Sequence, residues 1–305
     1  MRSAFIDELT AAAEHDARIV FVTGDLGYSV FEKFAERHPK KFYNLGIMEQ
    51  SMMSIGAGLA LCGKKAIVYS IATFATMRPY EQIRLDVAFQ RANVIIVGVG
   101  AGLAYGAYGP THHATEDVAL MRSLPGMVVL CPGDPVEARL ATRAALAYDG
   151  PVYLRIGKGK EKTVHAVPPA HLVIGEAIMM REGTGVTIIA TGDALGTAAQ
   201  AVDLLVREGV DPCFISMPCV KPLDEDAVLR AARATGHIIT VEEHNIIGGL
   251  GSAVAETLAS TSTGATLTRI GVPDTFIYTA GSQEYQRAVS GITPQKIVDA
   301  AKRGR

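Results

Sequence analysis

Three groups of residues in this 305-residue chain have the types and spacing to do chemistry. The first is Glu49, at the mouth of "NLGIMEQSMMSIGAGLALCG" (44–63), a segment otherwise dominated by Met, Ile, Leu, Ala and Gly. An ionised carboxylate entering a packed interior is costly unless paired. In the first turn of a helix it gains about 0.3–1 kcal/mol from the dipole, which is reason enough for an acid there. The dipole does not call for a flanking run as apolar as "MMSIGAGLAL". In an apolar, water-poor site the pKa of an acid rises, and the acid can share its proton with a ligand nitrogen. The second group, "GPTHHATED" (109–117), concentrates Thr111, His112, His113, Glu116 and Asp117. Adjacent imidazoles rarely converge on one metal ion, and no local residue supports a Ser–His or Cys–His nucleophile. Two readings stay open: a histidine, His112 or His113, facing a cavity as donor or proton carrier, or a satisfied surface pair. The third group, in "ATFATMRPYEQ" (72–82), spaces Phe74, Met77 and Tyr80 three apart on one helical face. Such a stripe is either core or a flat apolar wall for a planar ring.

The elements that must hold these residues follow from hydrophobic periodicity. Strand-like runs "RIVFVTG", "KAIVYSI", "NVIIVGVG", "MVVLCP" and "PVYLRIG" alternate with helical "SMMSIGAGLAL", "PYEQIRLDVAFQ", "EDVALMRSLP" and "PVEARLATRAALAY". This is the rhythm of a parallel-sheet α/β protein, with strands covered on both faces. The stretch 157–177, rich in Gly, Pro and Lys and without sustained period, reads as a linker, drawn at 161–180. A second series follows: "GVTIIATG", "LGTAAQAVDLLVREG", "CFISMPCV", "DEDAVLRAARATG", "HIITVEEH" and "LGSAVAETLAS". The expected organisation is two α/β domains, 1–160 and 181–305. The glycine-rich pieces "GVGAGLAYGAYG" (98–109) and "GGLGSAV" (248–254) fail GxGxxG at Leu103 and Val254, and GxxxxGK[ST] does not occur. The second reads as a turn and helix start. The first is long for a strand-to-helix loop, and such loops are often functional.

With a net charge of −2 and no long Lys/Arg run, neither nucleic acid nor an anionic membrane is expected as a partner. The four cysteines (Cys62, Cys131, Cys213, Cys219) lack CxxC spacing. No signal-peptide layout opens the chain, so buried free thiols and a cytoplasmic location are expected, with no metal ligands.

Five stretches in family order give the chain its resemblance: "TGDLG", "GIMEQ", "YSIATF…RPYEQIRLDVA", "GPTHHATEDVALMRSLPGMVVLCPGDPVEA" and "VEEHNIIGGLGSAVAE". Together they resemble the thiamine-diphosphate (ThDP) enzymes of the transketolase family. The resemblance is to the family's C-terminal portion, a pyrimidine-binding domain followed by a transketolase C-terminal domain. The family's other half holds magnesium and diphosphate with a GDG…Asn motif, and neither Gly24-Asp25-Leu26 nor Gly192-Asp193-Ala194 is GDG. The resemblance therefore implies the pyrimidine-binding subunit of a split transketolase. Its partner is a GDG-bearing N-terminal subunit in an α2β2 assembly, and these chains also self-associate. The reaction implied is transfer of a two-carbon ketol unit from a ketose or its phosphate to an aldose-type acceptor.

Position by position, Glu49 matches the glutamate that contacts the aminopyrimidine and activates the cofactor, and Phe74, Met77 and Tyr80 match the ring wall. Asp25 matches a residue near the thiazolium end, and His112 matches the histidine that contacts the donor. Ser29, Arg2 and Arg155 match residues at sugar phosphate. Tyr108 stands where the family places an acid that reads the acceptor, and Gly100 where it places a phosphate-binding histidine. These two departures point toward a different acceptor, such as a nucleotide-linked sugar. Competing readings are a 2-oxo-acid dehydrogenase beta chain, a deoxyxylulose-phosphate-synthase-like enzyme, or a non-catalytic scaffold.

Overall fold

A computed structural model describes residues 1–27, 30–159 and 161–303. Among them are twelve strands: β1 (Ile19–Thr23), β2 (Phe42–Asn44), β3 (Lys65–Ile71), β4 (Val94–Val99), β5 (Val128–Leu130), β6 (Val152–Ile156), β7 (Ile178–Arg181), β8 (Val186–Ala190), β9 (Pro212–Ser216), β10 (Cys219–Lys221), β11 (His237–Asn245) and β12 (Thr266–Val272). They form a seven-stranded sheet in the order β10-β5-β6-β4-β3-β1-β2 and a five-stranded sheet in the order β12-β11-β8-β9-β7. Pairing is parallel except at β10 and β7, each of which adds antiparallel at an edge. Both sheets are packed on two faces, which is why their central strands read as unbroken apolar runs.

Two parts of the chain depart from the sequence reading. "CFISMPCV" is not one strand. It breaks at Met217-Pro218, and β9 stays in the second sheet while β10 crosses to the edge of the first. Cys219 and Val220 are thereby buried on opposite faces of the first sheet, within the two cores of the preceding domain. The segment 161–180 is also packed rather than loose. Leu172 joins the first core, and His165 Nε2 lies 2.7 Å from Glu137 Oε1, which also accepts from Ser216 Oγ at 2.6 Å.

The loop after β4 is held against the second domain. Gly102 has φ +55, and a Cβ there would collide with the side chain of Glu243. Glu243 in turn accepts the Leu103 N–H at 3.0 Å. The "GGLGSAV" turn leads into the helix Leu250–Ala259, whose first N–H groups, from Leu250 and Gly251, donate to the two oxygens of buried Glu242 at 2.7 Å each. Burial raises the Glu242 pKa to about 7 against these hydrogen bonds.

Candidate cofactor and substrate site

Residues from four segments meet at the carboxyl edge of the first sheet, where sites in α/β folds gather. Glu49 opens the helix Glu49–Leu61, which follows β2 after a turn with Gly46 at φ +77. Its side chain is 4% exposed. Ser70, near the end of β3, donates to Glu49 Oε1 at 3.3 Å, and Arg78 Nη1 donates to Oε2 at 3.2 Å. The Arg78 guanidinium lies 4.3 Å over the Phe74 ring. On from Phe74, the His112 ring is 5.1 Å away, and Tyr108 and Tyr105 lie 4.9 and 5.6 Å from His112. Lys158, two residues past β6, places its ammonium 4.3 Å over Tyr105 and 5.5 Å from the Tyr108 ring centre. Lys158 and Arg2 together line a cavity of about 530 Å³ that Asp193, Gln283 and Arg287 of the second domain close. The result is a path of contacts from a buried acid, past an aromatic face and an imidazole, to Lys158, which shares its cavity with Arg2.

Electrostatics suit that path. Burial, then the charges of Lys158 and Arg78, hold the His112 pKa below its ordinary value, so the imidazole is neutral at pH 7. Thr111 Oγ1 lies 2.9 Å from His112 Nδ1, leaving Nε2 for a ligand. Burial and the neighbouring Arg2 lower the Lys158 pKa. In the cavity, burial and the charges of Glu243 and Glu161 raise Asp193 to about 7.

The expected residues do not all converge. Glu49, Phe74, His112, Tyr108 and Arg2 lie along the path. Asp25 sits beside it: its N–H donates to Asn44 Oδ1 at 2.9 Å, and that same oxygen accepts from Gly46 at 3.0 Å in the turn leading to Glu49. Ser29 lies outside the described residues. Phe74, Met77 and Tyr80 do not lie on one continuous helix, because Pro79 interrupts it: Ala72–Thr76 ends at Met77 and a new turn starts at Tyr80. Met77 instead lines a separate cavity of about 250 Å³ with Thr73, His113 and Phe276. The Tyr80 hydroxyl reaches Leu120 O at 3.2 Å and Ser123 Oγ at 2.8 Å.

Arg155 departs most from expectation. It is 2% exposed, and its Nε donates to buried Asp117 at 2.7 Å. Its Nη2 donates to the Ala114 and Glu243 carbonyls at 2.7 and 2.9 Å. The guanidinium is committed to joining the two domains rather than facing a ligand.

Three residues that face the path escaped sequence reasoning: Arg78, Tyr105 and Lys158. For Lys158 the signal was present, in the Gly and Lys run immediately after "PVYLRIG". Tyr105 explains the Gly100 departure, since a Cβ at Gly100, which has φ +79, would overlap the Tyr105 ring.

Comparison with known proteins agrees with this architecture. The profile described as "Transketolase, pyrimidine binding domain" matches residues 1–162, and "Transketolase, C-terminal domain" matches 175–297. The chain belongs to the transketolase family and corresponds to its C-terminal half. It is 39% identical to an apulose-4-phosphate transketolase subunit of Phocaeicola vulgatus, covering 93% of this chain and 90% of that one. It is 37% identical to the 6-deoxy-6-sulfo-D-fructose transketolase subunit SqwH of Clostridium sp. (strain MSTE9), over 99% and 93% of the two chains. Against the 1-deoxy-D-xylulose-5-phosphate synthase of Heliobacterium modesticaldum identity is 36%, over 98% of this chain but 46% of that one. A solved structure described as "Split gene transketolase, inactive beta4 tetramer" superposes with a TM-score of 0.91 at 34% identity, covering 99% of this chain and 97% of that one.

The family implies ThDP, and the donor set fits its aminopyrimidine half. Ser70 holds one oxygen of Glu49, half-exposed Arg78 holds the other, and the same Arg78 guanidinium lies over the Phe74 ring. Among the described residues no group of three or more His, Cys, Asp or Glu is arranged to hold a metal.

Proposed function

We propose that this chain is the pyrimidine-binding subunit of a two-chain, ThDP-dependent transketolase that moves a two-carbon ketol unit from a ketose donor to an aldose-type acceptor. The observation that carries the reading is the alignment of buried Glu49, Phe74, neutral His112 and the Lys158–Arg2 pair along one path. Glu49 would share a proton with a ring nitrogen of the cofactor, donating it as the acid and accepting the hydrogen bond back as the carboxylate. Bound ThDP supplies the carbanion chemistry. His112 orients donor hydroxyls through Nε2. Lys158 and Arg2 receive an anionic terminus and select phosphorylated or otherwise anionic sugars. Tyr108, 61% exposed beside His112, offers a flat wall where the family has an acid. Diphosphate and magnesium belong to a partner chain with GDG…Asn.

The surface around Glu49 supports such a partner. Ile47, Met48, Ile55, Leu85 and Phe89 are exposed on and beside the helix Glu49–Leu61 and its neighbour Ile83–Ala88. Ser54 Oγ donates to Asp86 at 2.6 Å, tying the two helices together. A large apolar surface next to a half-built site is what a stable interface covers. The same surface accounts for self-association when the partner is missing, and the full assembly is α2β2.

The chain alone should show no turnover with ketose phosphates. Turnover should appear on adding the GDG-bearing subunit, ThDP and magnesium, and full activity without a partner would sink the proposal. In that complex Lys158→Ala should raise KM for an anionic ketose by about tenfold or more, the loss of a charge-assisted hydrogen bond, with a smaller change in kcat. Lys158→Arg should restore most of it. An unchanged KM in Lys158→Ala would remove Lys158 from the substrate path. The 36% identity to a 1-deoxy-D-xylulose-5-phosphate synthase favours one alternative, an oxo-acid donor. Pyruvate tested beside ketose phosphates distinguishes the two.

A further inference from the structure

Arg78 stands between the buried acid and the aromatic face. Its Nη1 takes Glu49 Oε2 at 3.2 Å while its planar guanidinium lies 4.3 Å over the Phe74 ring. A planar, hydrogen-bonding heteroaromatic ring seated against Phe74 and bonded to Glu49 needs the same two contacts. The remaining Glu49 oxygen is already held by Ser70 at 3.3 Å, so Oε2 is the atom that must change partner. The Arg78 side chain is 51% exposed, against 4% for that of Glu49, so it has solvent to move into whereas the acid does not.

We infer that Arg78 is a displaceable stand-in for the ring of the cofactor: it fills the place between Glu49 and Phe74 and swings out for ThDP to seat. The inference rests on the cofactor assignment of the proposed function. Its consequence is twofold. Without cofactor, Arg78 keeps the buried carboxylate paired, which avoids the penalty of an isolated buried charge. On loading, that pair and the ring contact are both given up, so Arg78 weakens ThDP binding.

Removing a half-exposed ion pair and a cation–π contact corresponds to a change on the order of tenfold in an equilibrium constant. Isothermal titration of ThDP and magnesium into the complex with the GDG-bearing subunit reads it directly. Wild type should bind, and Glu49→Ala should bind much more weakly. Arg78→Ala should bind about tenfold more tightly than wild type. Arg78→Lys, which keeps the charge but not the planar stack, should fall between wild type and Arg78→Ala. Unchanged or weaker binding in Arg78→Ala, with wild type and Glu49→Ala as expected, would overturn the stand-in role and leave the cofactor assignment intact. No binding by wild type, or equal binding by Glu49→Ala, would overturn the assignment and this inference with it.

Discussion

Asp117→Ala should lose about 3–5 kcal/mol of folding stability, the usual consequence of leaving a buried charge without its partner. Asp117 Oδ2 accepts from Arg155 Nε at 2.7 Å and from the Tyr153 hydroxyl at 2.6 Å, and Oδ1 accepts from Arg155 Nη2 at 3.2 Å. Arg155 also donates to Ala114 and Glu243. One ion pair therefore spans β6, the helix Asp117–Ser123, the histidine loop and the second domain. His244 strengthens the same seam. Its Nδ1 donates to its neighbour Asn245 O at 2.7 Å, and its Nε2 accepts the Ala119 N–H at 3.2 Å. Burial, together with the Arg155 charge, depresses its pKa to about 4, so it is neutral there.

The pH dependence of the pair has a definite sign. Burial alone would raise the Asp117 pKa, but the charge and hydrogen bonds of Arg155 outweigh it and leave it below the usual carboxylate value. Its stabilisation is therefore present above the unfolded pKa of roughly 4 and lost as pH falls through the folded value. Urea midpoints of wild type and Asp117→Ala at neutral pH check the magnitude. A difference under about 1 kcal/mol would mean that the seam is not held by this pair. Removing both charges with apolar residues should recover much of the loss, which separates an uncompensated charge from a packing defect.

Arg155, expected at a ligand and found in a buried pair, shows where sequence reasoning reaches its limit. Strands such as "RIVFVTG" and "NVIIVGVG" are legible because burial on both faces leaves Ile19–Val22 and Val94–Val97 as unbroken apolar runs. Glu49 is legible because an acid there conflicts with its neighbours. Arg155 and Lys158 are three residues apart, and both follow from the same strand end. Which of them meets a ligand depends on Asp117 lying under Arg155, a contact between residues 38 apart in sequence. The stripe of Phe74, Met77 and Tyr80 has helical spacing, and only Pro79 hints that the helix does not run through. β2, β7 and β12 are short or partly exposed (Tyr43 and Asn44 of β2 both face solvent), so periodicity carries no signal for them. The fate of "CFISMPCV" is decided by which sheet has an open edge, a tertiary fact.

Glu49→Gln should lower turnover of the assembled enzyme by about 10²–10⁴-fold, the range for removing a positioned proton carrier, while changing folding stability by less than about 1 kcal/mol. The two effects separate for a structural reason. Gln fills the same space, keeps an oxygen for Ser70 to donate to, and leaves Arg78, which is half exposed, free to be solvated. What it cannot do is give a proton to a ring nitrogen and take it back. Glu49→Ala should add a loss of ThDP affinity, because it also removes the hydrogen-bonding atom. If turnover in Glu49→Gln stayed within about threefold of wild type, far short of the range for a proton carrier, the buried acid would be a helix-start residue after all. Equal losses of activity and stability would instead mark it as structural. Large loss of turnover with an unchanged urea midpoint is the pattern expected of an acid kept in an apolar site for chemistry: the apolar face of the helix Glu49–Leu61, Met52, Met53 and Ala57, is already packed, so the fold does not need the charge.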